Sequence, residues 1–312
     1  MIRSIRPVEL FALASFNALA GPNEAQSRNS LGRKEARPLT IPDLLKKWLS
    51  LEENRHTWVS VDAGPIKGLI SARNRSGPSA WDVDCLLLEP QTAPEEVCTE
   101  LLEHLCGIGA EKGIERVFLR LSHQSIIQDA ARRVGFHPLL QETLYSLEPK
   151  QRNKLGQPNL NHPLRPRSGA DDLGLFQLYS ATVLCTVRQM EGATLREWKE
   201  TRECLPNGRR REFVYQPAHE ILGWVQICLD DDRAYIDLLC HPQEEKALVS
   251  LLGFGLACLP PRCSALCLVP DFQIVWQRLA EEWGFEVRGQ YQTLIRQLSV
   301  RIKQPRLVPI RV

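Results

Sequence analysis

The chain has 312 residues, 39 Lys and Arg against 37 Asp and Glu, a net charge of +2, and 43% hydrophobic residues. That length predicts two domains, and the composition excludes global disorder. The balanced charge gives no reason to expect a nucleic-acid partner, and no apolar run reaches the roughly 18 residues of a membrane helix, so no membrane partner is expected either.

In chain order, Arg3, Arg6 and the apolar stretch from Val8 to Ala20 imitate a signal peptide. Glu9 and Asn17 interrupt that stretch, and the segment has a counterpart later in the chain, so export is not expected. Helices are predicted over 7–20 and 41–50, separated by a polar loop over 22–38. Strands follow over 57–61, 66–73 and 80–88. The helix predicted over 95–111 places Val97, Leu101, Leu102, Leu105 and Ile108 on one face. A strand over 117–121, a helix over 125–133 ended before Gly135, and a closing strand over 139–147 complete the first half.

Residues 149–163, PKQRNKLGQPNLNHP, hold three prolines, three basic residues and no acids. Such a stretch reads as a linker between domains at 1–148 and 164–312. The second half then repeats the first. Helices are predicted over 171–180 and 195–204, and strands over 212–216, 222–229 and 234–240. A helix over 245–258, a strand over 265–269, a helix over 272–283 and strands near 285 and over 294–302 follow. Short matches hold their order: Gly68-Leu69-Ile70 with Gly223-Trp224-Val225, Val83 to Pro90 with Tyr235 to Pro242, and Gly135-Phe136 with Gly284-Phe285. These point to a tandem duplication. Residues 305–312, apolar from Leu307 onward, are expected to pack on the body.

The ten cysteines lie mostly within apolar runs and form no C-x-x-C. They read as free thiols of a reducing cytoplasm, with no metal site. Gly107-Ile108-Gly109 and Gly253-Phe254-Gly255 lie in or at the end of a predicted helix rather than after a strand, so the dinucleotide fingerprint fails. Arg209-Arg210-Arg211 lacks interleaved aromatics and reads as a solvated turn rather than a nucleic-acid contact.

The opening Ile5-Arg6-Pro7, the strand Ile66-Lys67-Gly68-Leu69-Ile70, Leu88-Glu89-Pro90 and Ala130 to Phe136 together resemble landmarks of the GNAT superfamily of acyl-CoA-dependent N-acyltransferases. The resemblance implies an α/β chain of two tandem domains, each with a mixed, mostly antiparallel sheet flanked by helices. It also implies acetyl-CoA or another acyl-CoA as cofactor, in a cleft between splayed parallel strands. A small-molecule or protein amine would be the acceptor, and homo-oligomerisation is left open.

The family holds the cofactor's pyrophosphate on R/Q-x-x-G-x-G/A at a helix start, where glycines bare the backbone N–H groups. Here those positions are Ala93, Pro94, Glu95, Glu96, Val97 and Cys98. They lack the basic residue and the glycines; the two Glu instead complement the helix dipole, with Thr92 as the expected cap. In the second half His241 to Leu248 takes the same place, with Lys246 the one residue suited to a phosphate. Transferred by the resemblance, the cofactor-binding residues are Val97, Cys98, Gln124, Gln273 and Lys246. The family's acidic Tyr corresponds to Ala131 and Ala280. Carboxylates on the third strand, Asp84 (with Asp82 on the same face) and Asp237 with His241, are the candidate catalytic bases, and Glu142 is a further one. The alternative is a catalytically inactive protein that kept the fold for binding or scaffolding.

Overall fold

The computed structural model describes residues 1–5, 10–27, 31, 55–62, 64–75, 77–91, 93–153, 155, 164–192, 194–201, 209–230 and 232–299. The helix expected over 41–50, Thr92 and the tail at 305–312 lie outside the described residues.

The first half runs β1 (Ile2–Ser4), α1 (Leu10–Leu19), β2 (Arg55–Val61), β3 (Ile66–Asn74), β4 (Ala80–Leu88), α2 (Pro94–Glu111), β5 (Arg116–Ser122), α3 (Gln128–Arg133) and β6 (His137–Leu147). The second half runs α4 (Pro149–Arg152), β7 (Leu164–Pro166), α5 (Asp172–Thr182), α6 (Cys185–Glu191), α7 (Leu195–Thr201), β8 (Arg209–Tyr215), β9 (Gly223–Asp230) and β10 (Arg233–Cys240), then α8 (Glu245–Ala257), β11 (Ser264–Pro270), α9 (Ile274–Glu282) and β12 (Glu286–Gln297). β1, β7 and α6 were not expected. All three are short, and a strand of three residues leaves no alternation to read.

Alternation along the strands sets two faces. Ile70, Leu86 and Leu88 pack with Leu101, Leu102 and Leu105 of α2. Their neighbours Leu69 and Leu87 turn the other way and pack with Leu13 and Phe16 of α1. The second half repeats the arrangement, with Val225, Ile236 and Leu238 against Leu248, Leu251 and Leu252 of α8. Close approach of the central helix uses the duplicated glycines. A Cβ on Gly68 would lie 2.7 Å from Val97 Cγ1, and one on Gly223 would lie 2.9 Å from Leu251 Cδ1. The matched Gly135 and Gly284 adopt φ of 91° and 75° after α3 and α9, the left-handed step that ends a helix.

The twelve strands form one sheet in the order β1-β2-β3-β4-β5-β12-β6-β11-β10-β9-β8-β7. Among the described residues, only β4 with β5 and β10 with β11 pair in parallel. β6 does not close the first half. It pairs with β11 of the second half, while β12 enters between β5 and β6. The halves therefore exchange their last strands. Each exchange covers a parallel-strand edge that would otherwise present bare N–H and C=O groups.

The stretch 149–163 also starts with more structure than a linker needs. Its first residues form the turn α4, Arg152 donates to the carbonyls of Pro260 and Cys263, and Leu155 packs on the second core. The strands expected near 285 and over 294–302 are one strand, β12, with an irregularity between Val287 and Gly289.

Candidate functional site

Each parallel pair separates after a few residues. β4 pairs with β5 only from Ala80 to Val83, against Arg116 to Leu119. Just beyond, Ser71 faces Cys85 and Ala72 faces Val83, so Asp84 has no opposite number on β3. This bulge bends β4 away from β5. In the second half the pairing lasts from Arg233 to Tyr235, against Ser264 to Leu266. Two V-shaped openings result, one in each half.

The first opening is filled by the chain itself. Residues 21–27, directly after α1, run antiparallel to both strands. On the β4 side, Gly21 N–H donates to Leu88 C=O at 2.9 Å and Glu24 N–H to Leu86 C=O at 3.0 Å. The Asn23 carboxamide accepts from Leu86 N–H at 2.7 Å and donates to Asp84 C=O at 3.2 Å. On the β5 side, Gln26 N–H donates to Arg120 C=O at 2.8 Å, and Ala25 bridges to Leu121. Ala25 is wholly buried in the core under α2. Ser125 Oγ, at the approach to α3, donates to Glu24 Oε2. Among the described residues, no backbone hydrogen bond spans the second opening.

The start of α2 does not form a phosphate cradle. Its N-cap is Ala93, at φ 29°, a left-handed conformation that suits glycine. Pro94 has no N–H, and the amides of Glu96 and Val97 both donate to Ala93 C=O, at 3.0 and 3.3 Å. Among the described residues, Glu95 N–H is the one first-turn amide without a backbone acceptor, and the Glu95 carboxylate pairs with Arg133 at 2.9 Å. A diphosphate there would meet two carboxylates. Val97 packs toward Gly68, and Cys98 is fully buried, its thiol pushed up to about 12 chiefly by burial. Neither side chain presents itself to a ligand.

The second half departs in its own way. β10 leads into a 3-10 turn at Pro242–Glu244 before α8 begins at Glu245. His241 Nδ1 accepts from Gln243 N–H at 3.3 Å, and the Cys240 thiol donates to Glu244 C=O at 3.1 Å. Burial, reinforced by Glu244 and Glu245, pushes that thiol up to about 12. Lys246 is exposed in the first turn of α8. With Pro94 lacking an N–H, two amides turned to Ala93 C=O and two carboxylates beside them, the start of α2 is a poor match for the pyrophosphate of an acyl-CoA.

The remaining candidates are dispersed. Gln124 is exposed, its N–H donating to Ser122 Oγ at 3.3 Å, and Gln273 is half-buried at the N-cap of α9 without a side-chain capping bond. Asp84 is ion-paired with Arg55, and the buried Asp82 with Arg73 and Arg75. Asp237 accepts from Gln226 Nε2 at 3.2 Å, so the structure pairs it with a cross-strand glutamine and pairs His241 with its own turn. Ala131 and Ala280, at the positions of the family's acid, are fully buried in the cores under α2 and α8. Glu142 is buried against Arg120. Asn23 was missed. It lies in a stretch with no apolar period, and the adjacent Gly21-Pro22 signals only a turn.

No family model and no curated protein matches the chain. Solved structures do. A tandem GNAT protein from the clavulanic acid biosynthesis pathway superposes with TM-score 0.56 at 13% identity, over 97% of this chain and 99% of its own. A GCN5-related N-acetyltransferase from Sphaerobacter thermophilus gives 0.55 at 14% identity, over 97% of both chains. One from Anabaena variabilis gives 0.53 at 11% identity, over 96% of this chain and 73% of its own. The chain thus has the tandem GNAT fold, as its sequence landmarks suggested. Among the described residues, no helix is long and apolar enough to cross a membrane.

Proposed function

We propose that this protein uses the tandem GNAT fold for binding or scaffolding and has given up acyl transfer. The observation that carries the reading is the start of α2. Pro94 removes one amide, Ala93 C=O takes two more, and Glu95 and Glu96 bring negative charge to the helix start where the sequence resemblance implies a pyrophosphate. The start of α8, without glycines and with Glu244 and Glu245, supports it from the second half. In this reading the domains are 1–148 and 164–312, joined by 149–163, and the protein works in the cytoplasm.

A second reading, acyl transfer from CoA to an amine in the second half alone, has one observation in its favour. The strands β10 and β11 part after three pairs, and Asp237 lies on β10 beside that opening. The two readings separate in an assay with radiolabelled acetyl-CoA and a panel of amines and lysine peptides. The binding reading predicts no label transferred above the uncatalysed rate. Transfer that is lost in Asp237→Asn would establish the second reading instead.

A further inference from the structure

The parting of β4 and β5 leaves two strand edges whose amides and carbonyls need partners inside the core, where an unsatisfied group is expensive. Residues 21–27 supply them from both sides. Three backbone amides of this strap donate to Leu86, Leu88 and Arg120, and the Asn23 carboxamide acts as a detached peptide group bridging Asp84 C=O and Leu86 N–H. The Ala25 side chain fills the space between the two strands with no exposed surface. None of these contacts involves a phosphate, a ring or a charged headgroup. The site recognises an extended chain of amide groups with a small apolar residue between them.

We propose that the opening between β4 and β5 is a peptide-strand site, and that its resident ligand is the chain's own strap, Gly21 to Ser27. This deepens the functional reading above, because an opening held by the chain needs no acyl carrier. The ligand class is an extended peptide with an Asn-x-Ala core, bound by strand addition to two edges at once. Pro22 and Asn23 fix the entry to the strap, and Ser125 holds it at Glu24.

The test uses the full chain with Asn23→Ala and Ala25→Arg combined, which removes the carboxamide bridge and forces a long cation into a filled space. The probe is a fluorescein-labelled peptide with the sequence of residues 20–27, AGPNEAQS. The altered protein is expected to bind the peptide saturably, the unaltered protein not at all, and a peptide with Asn replaced by Ala at least tenfold more weakly. Absence of peptide binding by a folded double variant would overturn the proposal. Should the double variant fail to fold, hydrogen exchange on the unaltered protein and on Asn23→Ala alone decides. The amides of Glu24, Gln26 and Leu86 are expected to be protected, and Leu86 to exchange at least tenfold faster in Asn23→Ala. Unprotected Glu24 and Gln26 amides in the unaltered protein would overturn it equally. Acetyl-CoA binding by the unaltered protein would instead defeat the functional reading, while peptide binding confined to the variant would still support the strap.

Discussion

Thr293 Oγ1 donates a 2.7 Å hydrogen bond to Glu142 Oε2, joining residues 151 positions apart from opposite halves. Arg120 Nε donates to both, at 2.8 Å to Glu142 and 3.2 Å to Thr293. The three side chains sit on β5, β12 and β6, the strands where the exchange takes place, and all are buried. A slip of β12 by one residue would turn Thr293 to the other face and strand the ion pair, so the cluster specifies register.

Removing one member of the pair therefore leaves a buried charge alone. Arg120→Ala is expected to lower stability by about 3–5 kcal/mol in urea denaturation, whereas Arg120→Met with Glu142→Leu together should lose much less than the two single losses combined. Additive losses would show that the ion pair does not act as a unit.

Interleaved strands also make a prediction about cleavage. Cutting the backbone within 156–163 should leave the fragments joined, because β12 is held on both sides by first-half strands. On size exclusion the nicked protein should elute with the intact chain and separate only in denaturant. Elution as two small species would contradict the exchange.

The duplicated glycines predict paired effects. Gly68→Ala must push aside Val97 and Leu101, and Gly223→Ala must displace Leu251, in each case shifting a central helix from its sheet. Each should cost roughly 1–3 kcal/mol, the usual penalty of overpacking. A matched change at the exposed Gly107, with nothing within 4 Å, should have a far smaller effect on the melting temperature.

A pH dependence follows from Asp171. Arg165 binds both of its oxygens, at 2.7 and 2.8 Å, and Ser168 adds two more donors, so its carboxyl is held well below the usual carboxylate range. A folded-state pKa below the unfolded value means stability that is present above about pH 4 and is lost as the pH falls toward the folded pKa. Asp171→Asn should thus melt lower than the unaltered protein at about pH 7, and the gap should narrow by about pH 2. A gap that is independent of pH would remove the carboxylate from the explanation.

Much of the fold was legible because its signals are local. Gly135-Phe136 and Gly284-Phe285 end equivalent helices, and the apolar face of 95–111 lies on the sheet as its spacing implied. The exchange was not legible. β6 and β12 each bury four residues in a row, a pattern that does not say which parallel edge the strand joins, and pairing across a separation such as that of Arg120 and Thr293 leaves no trace in local pattern. Of the site, the absence of glycine from 93–98 is plain in the sequence. The strap could not, since Asn23 acts through one carboxamide placed by the bulge at Asp84, and neither the bulge nor the contact has a period.

The proposed binding role requires that neither half hold an acyl-CoA, and isothermal titration of the full-length protein with acetyl-CoA measures this. The binding role predicts no saturable heat, even at millimolar ligand. Saturable binding at micromolar concentration or tighter, lost when the start of α2 or α8 is altered, would show instead that the protein keeps its acyl carrier.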